Sequence, residues 1–273
     1  LYIKFKALTS ESYSNRLKGI PNSNLLCFVN QESESSILQI FDISQKSRIK
    51  EIFTHQVKGA KGSFLAFNSK RNIIGSQSIP GVEAYHLFKI DQNASASNNI
   101  VKIVRKAKWH SQFLSKNENC FDNYITDLDF DSEGTRAAVI DQKGVCLISD
   151  VNNDNDLSDI QLNPSSSFGY LNKCKWSLTS SEDSVFVSFN KSLLNILNVE
   201  KKALNLKTPL DFNHWICSIE VCPIKGNLLA VAGTSKNIDI FDRRESKIVK
   251  TFDNIHSRNV YSVQWSPSGD LLA

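Results

Sequence analysis

The 273-residue chain has no methionine, no Cys-x-x-Cys pair, no long apolar run and no cluster of like charge. Each absence excludes something. A sequence that opens at Leu1 and holds no Met is expected to be part of a longer polypeptide, and any targeting segment would then lie outside it. Cys27, Cys120, Cys146, Cys174, Cys217 and Cys222 stand singly. That is the pattern of small buried thiols in a reduced intracellular compartment, cytoplasmic or nuclear, and not of the disulfide framework of a short secreted chain. No segment approaches the roughly 20 apolar residues that cross a bilayer, so no membrane partner is expected. The formal charge of +4 comes from 32 basic and 28 acidic residues dispersed along the chain. A nucleic-acid footprint needs clustered Lys and Arg, and the longest basic stretch, residues 102–108, is interrupted by apolar residues and reads as an edge strand with solvated charges.

Chemistry is equally sparse. There is no Gly-rich phosphate loop, nucleophile elbow or paired-carboxylate motif. His55, His86, His110, His214 and His256 have no ligand spacing to one another or to a carboxylate. Asp150, Asn152 and Asp154 fit the first ligand positions of a calcium loop, but Asn155 stands where Gly is needed and Gln161 where a bidentate Glu belongs, so a plain loop is expected. The sequence thus offers no catalytic residue, metal site, cofactor or small-molecule substrate.

What the chain does have is repetition. Residues 256–273, HSRNVYSVQWSPSGDLLA, alternate over Val260–Gln264, turn at Pro267-Ser268-Gly269 and open a second strand at Leu271. One such hairpin is not stable alone, so a repeat is needed. Aligning Pro223 with Pro267 gives a step of 267 − 223 = 44 residues. The copy between them holds four short apolar runs, Ile216–Cys222, Leu228–Gly233, Ile238–Asp242 and Lys247–Phe252. A His before the first strand (His256), the Trp265-Ser-Pro-Ser-Gly269 turn, the Leu-Leu-Ala that opens the second strand and Phe241-Asp242 closing the third resemble the WD40 repeat, whose blades are four-stranded antiparallel sheets of about 40–45 residues.

The resemblance implies an all-β, WD40-type β-propeller as a single domain over 1–273, truncated at both ends. Five complete blades are expected near 13–53, 61–105, 124–162, 170–206 and 214–252. Partial blades follow at 1–7 and 256–273, with seven blades in the whole ring, which this length leaves open. Hydrophobic content of 41% suffices for the core. Trp176 and Trp265, with Phe67 and Phe130 at the equivalent positions, should lie between sheets. His55, His214 and His256 are placed before first strands, where the family uses His in a structural hydrogen-bond network. Ser235-Lys236-Asn237 occupies the turn where that network's Asp would stand.

Counting six residues back from the Trp265 position in each copy lands on Tyr13, Lys61, Tyr124, Tyr170, Trp215 and Asn259. In the family this position lies at the rim of one face. Tyr and Trp are the side chains most enriched at binding hot spots, so these residues, with His214 and Arg258 beside them, form the expected partner-binding rim. The plainer reading is that each ring packs on a neighbouring blade. A second motif, Phe241-Asp242-Arg243-Arg244, resembles the Trp-Asp-x-Arg box by which substrate receptors of cullin-RING ubiquitin ligases dock, with Asp242 and Arg244 as its matching residues. The expectation is a non-enzymatic protein–protein interaction scaffold of an intracellular multiprotein complex. The alternatives are a ligase substrate receptor, or the interaction domain of an enzyme whose catalytic part lies outside these residues.

Overall fold

The computed structural model describes residues 14–20, 23–32, 34–45, 48–60, 64–68, 70–76, 83–91, 101–108, 125–141, 144, 146–152, 157–158, 171–178, 184–189, 192–201, 203–204 and 210–273. They contain strands and no helix. The chain divides into two compact units, Leu1–Leu128 and Asp129–Ala273.

The first unit holds two antiparallel sheets. One is β1 (Ser14–Gly19), β2 (Leu25–Gln31), β3 (Ser35–Asp42) and β4 (Lys50–Lys58), in that order. The other is β5 (Leu65–Asn68), β6 (Ile73–Ser76), β7 (Glu83–Ile90) and β8 (Val101–Lys108). Alternation decides which side of each strand is buried. Cys27, Val29, Leu38 and Ile40 from the first sheet form one core with Leu65, Ile74, Phe88 and Ile90 from the second, and Phe67 packs half-buried against it. The outer strand of the first sheet runs further than expected. β3 is eight residues long, and its Ser35–Leu38 half needs a pairing strand, which residues 55–58 supply through Leu38↔His55 to Ser35↔Lys58. His55 therefore lies within β4 and does not precede a first strand. It packs beside Phe53, Phe88 and His86. β8 runs to Lys108 at the edge of its sheet, opposite Glu83, so residues 102–108 lie in an edge strand as their pattern suggested.

In the sequence that continues into the second unit, the third sheet is β9 (Ile125–Phe130), β10 (Arg136–Asp141), β11 (Cys146–Asp150) and β12 (Leu157–Ser158). The fourth is β13 (Leu171–Trp176), β14 (Ser184–Phe189), β15 (Leu193–Asn198) and β16 (Ala203–Leu204), with an unexpected β17 (Leu210–Asp211) also on β15. The fifth is β18 (Ile216–Val221), β19 (Leu228–Gly233), β20 (Ile238–Asp242) and β21 (Lys247–Phe252), within one residue of the sequence expectation. Beyond it the expected hairpin shrinks to a single bridge, Trp265↔Leu272. A strand is defined by its ladder, and the rungs here are only those between Gln264 and Ala273 and from Ser266 to Leu271.

Within the second unit successive sheets share cores. Ala138, Ile140 and Ile148 meet Cys174, Trp176 and Val187. Phe186, Leu194 and Ile196 meet Ile219, Leu229 and Phe241. Ala230, Ala232 and Ile240 meet Val260 and Val263, with Trp265 against them. Trp176 and Phe130 are buried, and Trp265 is half-buried with its indole N–H donated to the Glu220 carbonyl (3.1 Å), so none of the four expected core aromatics is on solvent.

Hydrogen bonds at nearly the repeat step tie these sheets together. The Trp176 N–H donates to Asp129 (2.7 Å), Asn172 Nδ2 to the Ile216 carbonyl (2.5 Å) and the Val263 N–H to Ser218 Oγ (3.2 Å). Lys175 Nζ adds ion pairs to Asp129 (3.4 Å) and Glu220 (3.2 Å), carboxylates from the sheets on either side. With side-chain exposures of 12–27%, these groups sit where pairing must offset desolvation, and an unpaired member would be costly.

Candidate functional site

The described candidate residues fall at the two ends of the fifth sheet. At one end the chain arrives through Asp211, whose carboxylate accepts the Asn213 N–H (2.8 Å), and Asn213 takes a left-handed conformation (φ 57) that Asn tolerates. His214 and Trp215 follow, and a bulge between Ile216 and Ser218 re-aims the start of β18. Trp215 is stitched to the next turn in both directions: its N–H donates to Thr234 Oγ1 (3.0 Å), and its carbonyl accepts the Thr234 N–H (2.9 Å).

Such closeness requires Gly233. A Cβ there would lie 1.7 Å from the Trp215 carbonyl oxygen and 2.7 Å from His214 Cδ2. The Gly233 carbonyl then accepts the Val260 N–H (2.8 Å), and Asn237 Oδ1 accepts the Asn254 N–H (3.0 Å). Residues 213–215, the 234–237 turn and residues 254–261 thus form one continuous surface.

On it Trp215 is 52% exposed and Tyr261 69% exposed, with the Tyr261 hydroxyl accepting from Asn259 Nδ2 (3.3 Å). Arg258 and Asn259 are exposed. His214 is half-buried against Phe212, its Nε2 sealed from solvent without a hydrogen-bond partner, as expected of a turn that lacks the network's Asp. His214, Trp215, Arg258 and Asn259 are therefore brought together. Tyr13, Lys61, Tyr124 and Tyr170 lie outside the described residues.

Sequence reasoning missed Tyr261 and Thr234 as parts of this face. Tyr261 was legible, because it stands two residues past Asn259 in an extended run and so on the same side. Thr234 was not, because nothing in its sequence neighbourhood announces a bond to Trp215.

The opposite end carries Asp242 and Arg244. Arg244 folds back on Asp242 through Nε (3.2 Å) and Nη2 (2.7 Å), while the Arg244 N–H also donates to the carboxylate (2.8 Å). These bonds to Arg244 hold the Asp242 carboxyl below its ordinary range and raise the guanidinium. The Asp242 side chain is 4% exposed and that of Arg244 66%, so a buried carboxylate fixes a guanidinium that faces water. Arg243 turns the other way, donating Nη1 to Ser177 Oγ (3.0 Å), and burial lowers its pKa.

Nothing at either end resembles a reaction centre. Among the described residues no group of three His, Cys, Asp or Glu could hold a metal ion. The five described cysteines are free, and burial pushes the Cys27 and Cys146 thiols up to about 12, which leaves them unreactive near neutrality. The Asp150 carboxylate is used by its own turn, accepting the Asn152 N–H (2.7 Å). Among the described residues no helix is long and apolar enough to cross a membrane.

Successive antiparallel sheets stacked through shared cores fit a WD40-like fold. Solved structures agree: a chain of "Crystal Structure of Mitotic Checkpoint Complex" is similar over 94% of this chain and 72% of its own, with a TM-score of 0.68 and 16% identity. At that identity the likeness is one of fold. No family model matches the sequence, and no curated protein matches it.

Proposed function

We propose that the protein is a non-enzymatic interaction scaffold, a single β-propeller domain whose sheets are the blades of a seven-bladed ring, holding a protein partner on the end that carries Trp215. The proposed rim comprises Tyr13, Lys61, Tyr124, Tyr170, His214, Trp215, Arg258 and Asn259, in an intracellular assembly. The observation that carries this reading is the exposure of Trp215: its backbone is fixed by two hydrogen bonds, yet half of the residue's surface is left in water. Packing alone would have used that ring. A rigidly presented aromatic surrounded by polar groups is the form of an interface hot spot.

The test is Trp215→Ala in the full-length protein. Partner capture should weaken by about 2 kcal/mol or more with the melting temperature nearly unchanged. Destabilisation by about 3 kcal/mol or more, with no selective loss of partner, would make the ring structural.

A second reading, a substrate receptor of a cullin-RING ligase docking through Asp242 and Arg244, is favoured by the ion pair that presents the Arg244 guanidinium to solvent. Arg244→Glu should then abolish co-purification of the ligase adaptor and leave capture through Trp215 intact.

A further inference from the structure

The charges around Trp215 differ from those at the other end of the same sheet. There, Arg244 is answered by Asp242 and Lys247 by Glu245. Around Trp215, Lys236 and Arg258 are both exposed, and neither has an ion-pair partner among the described residues. Lys236 stands two residues beyond Thr234, which bonds Trp215, and Arg258 stands two residues before Val260, which bonds Gly233. The two cations thus stand on the two backbone segments that are hydrogen-bonded to Trp215 and Gly233. Asp211 and Asp253 lie at the same end of the sheet, and neither forms an ion pair with Lys236 or Arg258.

We infer that this face takes a short acidic segment of a protein partner: an apolar or aromatic side chain lies on Trp215 and Tyr261, and carboxylates of the segment meet Arg258 and Lys236. The inference rests on the reading of this face as a partner site. Its physical basis is complementarity. Two exposed cations held in no ion pair, on the face that carries Trp215 and Tyr261, favour an anionic segment over a basic one, and like-charge juxtaposition discriminates more strongly than attraction adds affinity. The aromatic pair supplies the desolvated contact that charges alone do not.

The experiment is selection of random displayed peptides of about 12 residues on the full-length protein, a length that covers one such face of an interface. The selected peptides are sorted by whether Trp215→Ala abolishes their capture. The expected Trp215-dependent pool is rich in Asp and Glu. Its members should bind at least about tenfold more weakly to the Lys236→Glu, Arg258→Glu double variant, and more weakly as salt rises from about 50 to 300 mM. A Trp215-dependent pool that is neutral or basic, or indifferent to the charge reversal, overturns the acidic partner and leaves the face standing. The absence of any Trp215-dependent pool overturns the face and the inference together. Tyr261→Ala, at a more exposed ring, provides the same sort should Trp215→Ala lower the melting temperature.

Discussion

The fourth and fifth sheets follow the same plan in the same unit, and the described rungs on their third strands differ. β21 pairs with β20 from Asp242↔Lys247 to Ile238↔Phe252. On β15 the described rungs come from β16, which covers Leu197 and Asn198, and from β17, which covers Leu193 and Leu194. The Ile196 N–H of that strand donates to the side chain of its neighbour Asn195 (2.7 Å). The inner strands join the two sheets, since Phe186, Leu194 and Ile196 of the fourth share one buried core with Leu229, Val231 and Phe241 of the fifth. The contrast separates two jobs. Inner strands hold sheet to sheet, and the outer strand closes a sheet's edge.

That distinction can be broken experimentally. The largest effect is expected at Phe241, fully buried in the shared core: Phe241→Ala should cost about 3–5 kcal/mol in equilibrium unfolding, and hydrogen exchange should show both sheets loosened. Loosening confined to the fifth sheet would mean that the core does not couple them. Gly233→Ala comes next, at about 3 kcal/mol, because the added Cβ meets the Trp215 carbonyl and the backbone must move. Its signature in a denaturation midpoint should be accompanied by altered fluorescence of Trp215.

Asn195→Ala should cost about 1–2 kcal/mol, the loss of a hydrogen bond to a buried N–H. An unchanged stability would show that this local bond does not support the strand.

The smallest effect is expected at Asp242. Its folded pKa is depressed by Arg244, so its stabilisation is complete above the ordinary carboxylate pKa of about 4 and is lost as pH falls through the lower folded value. Melting curves of Asp242→Asn and the unaltered protein should differ slightly at pH 7 and converge as pH falls through the lowered folded value. A gap that persists in acid would mean that the ion pair is not its source.

Legibility followed the strength of the local pattern. In the fifth sheet Leu228–Gly233 and Ile238–Asp242 were readable to the residue, because apolar residues bounded by turn residues leave little choice of strand ends. β4 was truncated because His55 was read as a family mark, when the length of β3 determines where its partner ends. β17 was invisible, since two residues carry no periodicity and owe their strand conformation to β15. At the candidate site, Trp215 and Asn259 came from counting along the repeat. The ion pair of Asp242 with Arg244 was legible as a motif but not as a fold-back geometry.

By itself the sequence determined the all-β class, the 44-residue step, the turns and which side of each inner strand is apolar, because those depend on periodicity and turn chemistry within a few residues. The tertiary structure decided what neighbours do to one another. Lys175 became the link between Asp129 and Glu220, and Gly233 became the place where Trp215 can approach. The reason is physical: burial and pairing are properties of groups that meet across a repeat or more of chain.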